Sequence, residues 1–283
     1  MPSISTMSHP FFAIPSYVHI YQGVTTSRVD GTEIADYLRS ILTQAEIDIR
    51  PDFFSFYLSL PTEEEKERTL SDLAYQMATL KIRDVTKKDL QSEPMPAEIN
   101  YERRNLSKSV GRVVGIVYEG FTLQQLFLGL IDAEEKDATH LNLIITDQLF
   151  ATWDQGSCRY HARVSIYGFP TLLSTSGAVE APAKPRDFYL RRQLGEDPYL
   201  LKEAYQDSCI EYDDPRMTEV LKGYAAQAVF YHLVGYPFCE DKNCRLFNAH
   251  RQNEMIHAQL LSPYEFCSTH QAMLDQLREV TRD

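Results

Sequence analysis

Three of the five cysteines fall between positions 239 and 267, in the spacing Cys239-x4-Cys244, a gap of 22 residues, then Cys267-x2-His270. A structural zinc ion takes four soft or borderline ligands in a tetrahedron, most often thiolate sulfur and imidazole nitrogen. The first pair lies on a short loop just after a helix, which lets both sulfurs turn toward one point. The second pair fits the first turn of a helix, where residues i and i+3 share a face. The alternative is three unrelated small buried thiols, because free cysteine behaves as an apolar residue. Two ligand pairs at standard spacing favour one structural zinc held by Cys239, Cys244, Cys267 and His270. His250 and His257 are possible substitutes for His270, but neither sits beside a cysteine. Cys158 and Cys209 lie elsewhere and read as structural thiols.

An odd cysteine count and the lack of a basic or long apolar leader over Met1–Pro15 point to a reducing, cytoplasmic setting, not a disulfide framework. No apolar run is long enough for a membrane span. The net charge of −12 repels a phosphate backbone, so nucleic acid is not an expected partner. No phosphate-cradling glycine loop occurs. The expected partner is a small molecule, a peptide or a protein.

Strand signals alternate with helix signals along the chain. Tyr17–Tyr21 and His140–Thr146 read as strands, and so do Gly111–Tyr118 and Arg159–Tyr167; Pro170–Thr175 forms another short one. Ile47–Ser59, rich in β-branched and aromatic residues, reads as a strand running into a loop. Helices are expected over Thr32–Ala45 with Asp30 or Thr32 at its cap, from Pro61 to about Leu80, and over Thr122–Leu130. Lys184–Leu201 reads as a loop passing into a helix. The longest helix runs from Arg216 to Val234, with Pro215 at its start and Gly235 and Pro237 at its end. Helices over Gln252–Leu260 and Cys267–Arg282 finish the chain. The pattern implies an α/β (α+β) fold: a mixed sheet with packed helices, followed by a helical, zinc-stabilised C-terminal module. The expected divisions are a flexible lead over 1–16, a main domain over 17–238 and the zinc module over 239–283.

Other residues carry potential chemistry. Alternation puts Arg159, His161 and Arg163 on one strand face, which is either a wet edge or the wall of an anion-binding cleft. Lys184 and Arg186 could clamp a phosphate or carboxylate or form a solvated basic face. Asp213 and Asp214 read as helix caps, and Glu219 and Lys222 as a pair across one turn. Ser174-Thr-Ser-Gly177 reads as a small polar loop.

The segment Ala225–Cys239, continued by Cys244 and by Cys267-x2-His270, resembles the core of the archaemetzincins, zinc peptidases whose long helix carries HExxHxxGxxH followed by paired cysteines. The whole chain is more similar still to a largely archaeal family assigned as metallopeptidases, on the segments Arg159–Arg163, Ser174–Gly177, Glu180–Arg186 and Asp213–Arg216. The resemblance implies a metzincin-like fold. It places Gly235 on the motif glycine and His232 on the second histidine; Ala228, Val229 and Phe238 then stand where the first histidine, the glutamate base and the third histidine belong. A catalytic zinc needs three protein ligands, an open position and a carboxylate base. The resemblance therefore implies a zinc-binding protein with its hydrolytic motif erased and a ligand in the old cleft. The alternative is a divergent metal-dependent hydrolase rebuilt around His232, His161 and nearby carboxylates such as Glu219.

Overall fold

The computed structural model describes residues 11–23, 29–59, 62–88, 93–107 and 115–281. Parts of the expected lead (1–10) and of the expected strand 111–118 (111–114), together with Pro61 and Arg282, lie outside these residues.

Among the described residues eight strands are interspersed with helices along the chain. β1 (Tyr17–Gln22) leads to α1 (Gly31–Ile41) and β2 (Glu46–Arg50), then to α2 (Phe53–Leu58), α3 (Glu63–Thr79) and α4 (Pro96–Ser107). β3 (Val117–Glu119), α5 (Gly120–Leu130), β4 (His140–Thr146), β5 (Leu149–Asp154), β6 (Arg159–Arg163), β7 (Ser165–Ile166) and β8 (Thr171–Ser174) follow. The C-terminal part is helical: α6 (Thr175–Glu180), α7 (Arg186–Gln193), α8 (Pro198–Tyr205), α9 (Met217–Val234), α10 (Gln252–Ile256) running into a π-helical turn (His257–Leu261), and α11 (Ser268–Val280). No helix is long and apolar enough to cross a membrane among the described residues.

The main sheet has the order β2-β1-β4-β8-β7 and is parallel except at β7, which runs antiparallel along its edge. Period-two alternation distributes its side chains to two cores. Val18, Ile20, Leu141, Leu143, Ile145 and Leu173 face α1 and α9, whereas Tyr21, Ile144 and Leu172 face the aromatic residues of α2 and α5. A small second sheet, β3-β5-β6, closes the latter side. The C-terminal module is not a separate body. Leu246, Met255, Ile256, Leu274 and Leu277 pack into the same core as β1, β4 and α9.

Helix starts follow local capping chemistry. The Asp30 carboxylate accepts from the Thr32 and Glu33 amides at 2.8 and 3.2 Å, and Thr62 and Glu65 form a reciprocal capping box at the start of α3. Four expectations need correction. Ile47–Ser59 is strand only to Arg50; Asp52 caps Ser55 at 3.0 Å and the aromatic run coils into α2, where Phe53, Phe54 and Tyr57 share one buried face. Arg159–Tyr167 is two strands in different sheets, broken at Val164. Ser174–Gly177 is no loop: Ser174 ends β8 and its hydroxyl caps α6 through the Gly177 amide at 2.8 Å. The described end of the lead is docked, with Phe11 buried and the Phe12 amide donating to the Leu233 carbonyl at 2.7 Å.

Candidate metal centre and the neighbouring cleft

Gly235 ends α9 in the left-handed conformation (φ 72°), which turns the chain sharply toward Cys239. The Cys239 amide donates to the Leu246 carbonyl at 2.8 Å, and the loop between closes on itself through Cys244 N–H to the Asp241 carbonyl at 2.9 Å. The Asn243 amide donates to the Asp241 carboxylate at 3.0 Å, and the Asp241 amide reaches Cys239 Sγ at 3.4 Å. Cys267 sits at the N-cap of α11 and His270 one turn on. Four donor atoms meet in consequence. Cys239 Sγ and Cys267 Sγ are 3.9 Å apart, Cys244 Sγ and His270 Nδ1 3.7 Å, Cys267 Sγ and His270 Nδ1 3.1 Å, and all four ligand atoms lie within 4.8 Å of one another. A tetrahedron built on Zn–S bonds of ~2.3 Å and a Zn–N bond of ~2.0 Å has S···S edges of about 3.8 Å and S···N edges of about 3.5 Å. The donor set and its spacing fit that ion. It is also the one group of three or more His, Cys, Asp or Glu side chains with metal-ligand spacing among the described residues.

The electrostatics suit a dication. Burial pushes the Cys244 thiol up to about 12 and raises Cys239, so neither ionises readily without a cation beside it. Burial also opposes ionisation of Cys267, but the His270 amide, the Cys239 thiol and the Thr269 amide outweigh it and draw that thiol below its ordinary value. Burial lowers His270, which keeps its imidazole neutral and able to ligate. His257 Nε2–H donates to Asn243 Oδ1 at 2.7 Å and props the loop without entering the donor set.

The residues considered for a second, catalytic centre do not converge. His232 is buried, its Nε2–H donates to the Ala138 carbonyl at 2.8 Å, and its ring packs 5.4 Å from that of Phe169. Glu219 lies at the other end of the same helix; at ~1.5 Å per residue the two are about 20 Å apart. There Glu219 holds Lys222 at 2.9 Å and the buried Arg245 at 2.8 Å, an ion network that ties α9 to the metal loop. His161 sits on the β5–β6 hairpin, bonded to Ser157 Oγ at 2.7 Å with the Asp154 carboxylate at 3.7 Å. Lys184 pairs with Glu211 at 3.0 Å and lies 4.8 Å over the Phe188 ring, Arg186 is exposed at the start of α7, and Arg159 is exposed near the hairpin tip. Of the expected anion-binding set, Arg163 lines the cleft beside α9, and Arg159, Lys184 and Arg186 are not among that cleft's described lining residues.

Burial lowers the His232 value, so below its ordinary value near pH 6.5 the unfolded chain binds a proton that the folded chain refuses. Folding stability is therefore expected to fall between about pH 7.5 and about pH 5.5, and His232→Gln to flatten that part of the dependence. Urea unfolding at the two pH values checks this; an unchanged slope in the variant would refute it.

The cleft, of about 480 Å³, opens between the 162–167 edge of the sheets and α9. Helix residues Tyr224, Gln227 and Tyr231 line it, as do Phe238 and His250 beyond the helix, whereas Ala228 and Val229 are fully buried in the apolar core. The Gln227 carboxamide is fixed at both ends: it accepts from the Tyr167 hydroxyl and donates to the Phe247 carbonyl at 3.2 Å. Sequence reasoning missed this face of α9, because 224, 227 and 231 look like ordinary core positions at helical spacing. It also missed a polar chain across three strands, in which His19 bonds Asp48 at 2.6 Å and His140 at 2.9 Å; register, not spacing, brings these together.

The fold is similar to that of the archaemetzincin from Methanopyrus kandleri (13% identity, covering 97% of this chain and 98% of that one, TM-score 0.39). It is also similar to the zinc-dependent peptidase from Methanocorpusculum labreanum strain Z (9% identity, covering 91% of this chain and 99% of that one, TM-score 0.39). No curated protein matches the sequence. Residues 14–277, nearly all of both cores and the whole Cys/His centre, match one family model, and the chain belongs to that family, described as "Probable metallopeptidase family (DUF6775)".

Proposed function

We propose that this chain is a zinc-stabilised, non-peptidase member of its family. One zinc ion closed by Cys239, Cys244, Cys267 and His270 secures the C-terminal module, and the cleft beside α9 binds a small molecule or a peptide. The donor chemistry of the cleft carries this reading: among the described residues its lining includes no aspartate or glutamate to serve as a general base, and α9 turns Tyr224, Gln227 and Tyr231 toward it. Ala228, Val229 and Phe238, where the archaemetzincin-like motif would place two histidines and the base, supply no such group. Three thiolates and an imidazole fill all four positions of a tetrahedral zinc, which leaves none for water or substrate.

Metal analysis of the purified full chain together with a proteolysis assay on denatured casein tests the proposal. The expected result is one zinc per chain, retained through dialysis against chelator and released on unfolding, with no cleavage of casein. A second, chelator-labile metal required for casein cleavage would overturn it.

A further inference from the structure

The chain carries 40 acidic against 28 basic residues, yet among the described residues no acidic side chain lines the cleft beside α9. Its volume of about 480 Å³ falls in the range of small-molecule sites. Arg163 enters it from the end of β6. The Arg163 Nε–H donates to Thr152 Oγ1 at 2.8 Å, and Thr152 is itself buried, so the guanidinium plane is set by the sheet. Arg163 is exposed at the mouth of the cleft, whereas the less exposed arginines are matched by acids: Arg50 by Glu135 at 2.7 Å, Arg216 by Asp214 at 2.7 Å and the buried Arg245 by Glu219. No carboxylate pairs with Arg163 among the described residues. Its terminal nitrogens, fixed in plane by Thr152 at the rim of the cleft, are open to a ligand.

The geometry narrows the ligand. With Nε engaged by Thr152, the two terminal nitrogens present one planar edge of parallel N–H donors, which matches a carboxylate held at both oxygens. A phosphate dianion calls for more than one fixed cation, and among the described residues His250 is the one other basic side chain in the lining. The remaining walls are largely aromatic. Tyr231 and Phe238 line the cleft, and Phe121 and Tyr236 leave more than half of their surface open beside it (56% and 63%). Rings of this kind offer large apolar contact area to a partner at little conformational cost.

We propose that the cleft is a carboxylate-recognition site, with Arg163 anchoring a carboxylate carried on an aromatic or apolar body. The inference rests on the reading of this cleft as a binding site and adds the class of ligand. Two sources share that chemistry: a free aromatic acid, and the C-terminal end of a peptide.

Calorimetric titration of the full chain with acetyl-Ala-Phe, its C-terminal amide and 3-phenylpropionate tests it. The free-acid peptide is expected to bind, and amidation to weaken it about ten-fold or more, the loss expected for a charge-assisted hydrogen-bonded pair. Arg163→Gln should weaken the acid by a similar factor and leave the amide unchanged; Tyr236→Ala should weaken both. The wild-type comparison of acid with amide needs no variant to fold. Phenylpropionate binding as tightly as the peptide would assign the site to free acids, and binding of the peptide alone would assign it to chain ends; either supports the inference. Equal affinity for acid and amide, or no binding of any of the three, would overturn it. Mass spectrometry of the recovered peptide separates the two readings: cleavage would sink the non-peptidase function, whereas an intact probe that ignores its own carboxylate would sink only the carboxylate site.

Discussion

Replacing Cys244 with alanine is expected to release the metal and to lower the thermal midpoint by about 10 °C. Cys244 is the most deeply buried of the four ligands, with no exposed surface, and the next-but-one residue, Leu246, belongs to the main core. Structural zinc in small domains supplies ~10–16 kcal/mol of apparent folding free energy. Here the module shares its core with α9 and the sheet, so apolar packing retains part of the structure and the observed cost is smaller, about 3–5 kcal/mol. In a chain of this size each kcal/mol moves the midpoint by roughly 2–4 °C. Cys209→Ala is the matched control, because it also removes a fully buried sulfur but from a small cluster with Phe188, Leu201 and Tyr205. The zinc-to-protein ratio should fall in Cys244→Ala and stay constant in Cys209→Ala. A ratio that is equal in the two variants would remove the basis for a metal at this site.

Glu102→Ala is expected to be of similar severity for a different reason. Glu102 is 1% exposed and Lys81 8%, and their charges meet at 2.7 Å where α4 packs behind β3. The same carboxylate accepts from the Tyr118 hydroxyl at 3.0 Å, and the Lys81 ammonium lies 4.9 Å over the Tyr101 ring. Removing the carboxylate strands a buried ammonium and a buried hydroxyl, and breaking a buried pair in this way costs ~3–5 kcal/mol. Replacing both ions with apolar residues, as in Lys81→Met with Glu102→Leu, avoids the stranded charge and should recover most of that loss. Chemical denaturation of the single and double variants decides the matter. If the double variant is no more stable than Glu102→Ala, the lost stability resides in packing of α4 and not in the charge.

The sequence by itself determined the features whose causes are local. The Cys/His set was legible because each ligand pair is spaced within one loop or one helical turn. Asp30, Thr62 and Gly235 marked helix ends through their own side-chain or backbone chemistry, β1 declared itself by alternation and β4 by its apolar, β-branched run. Local preference also misled. The aromatic run at Phe53 has strand propensity, but Asp52 caps it and two-sided burial against Tyr21 and Phe127 makes it helix. Tertiary structure alone decided the rest. It split 159–167 between two sheets, turned Glu219 toward Arg245 and not toward His232, and gave Glu102 and Lys81 their shared burial. It also gathered Arg163, Gln227 and Tyr231 around one cleft. Periodicity records which face of an element is apolar; it carries no record of which elements become neighbours. That pairing is fixed by strand register and by two packed cores, and a polar side chain's role depends on the partner they bring to it.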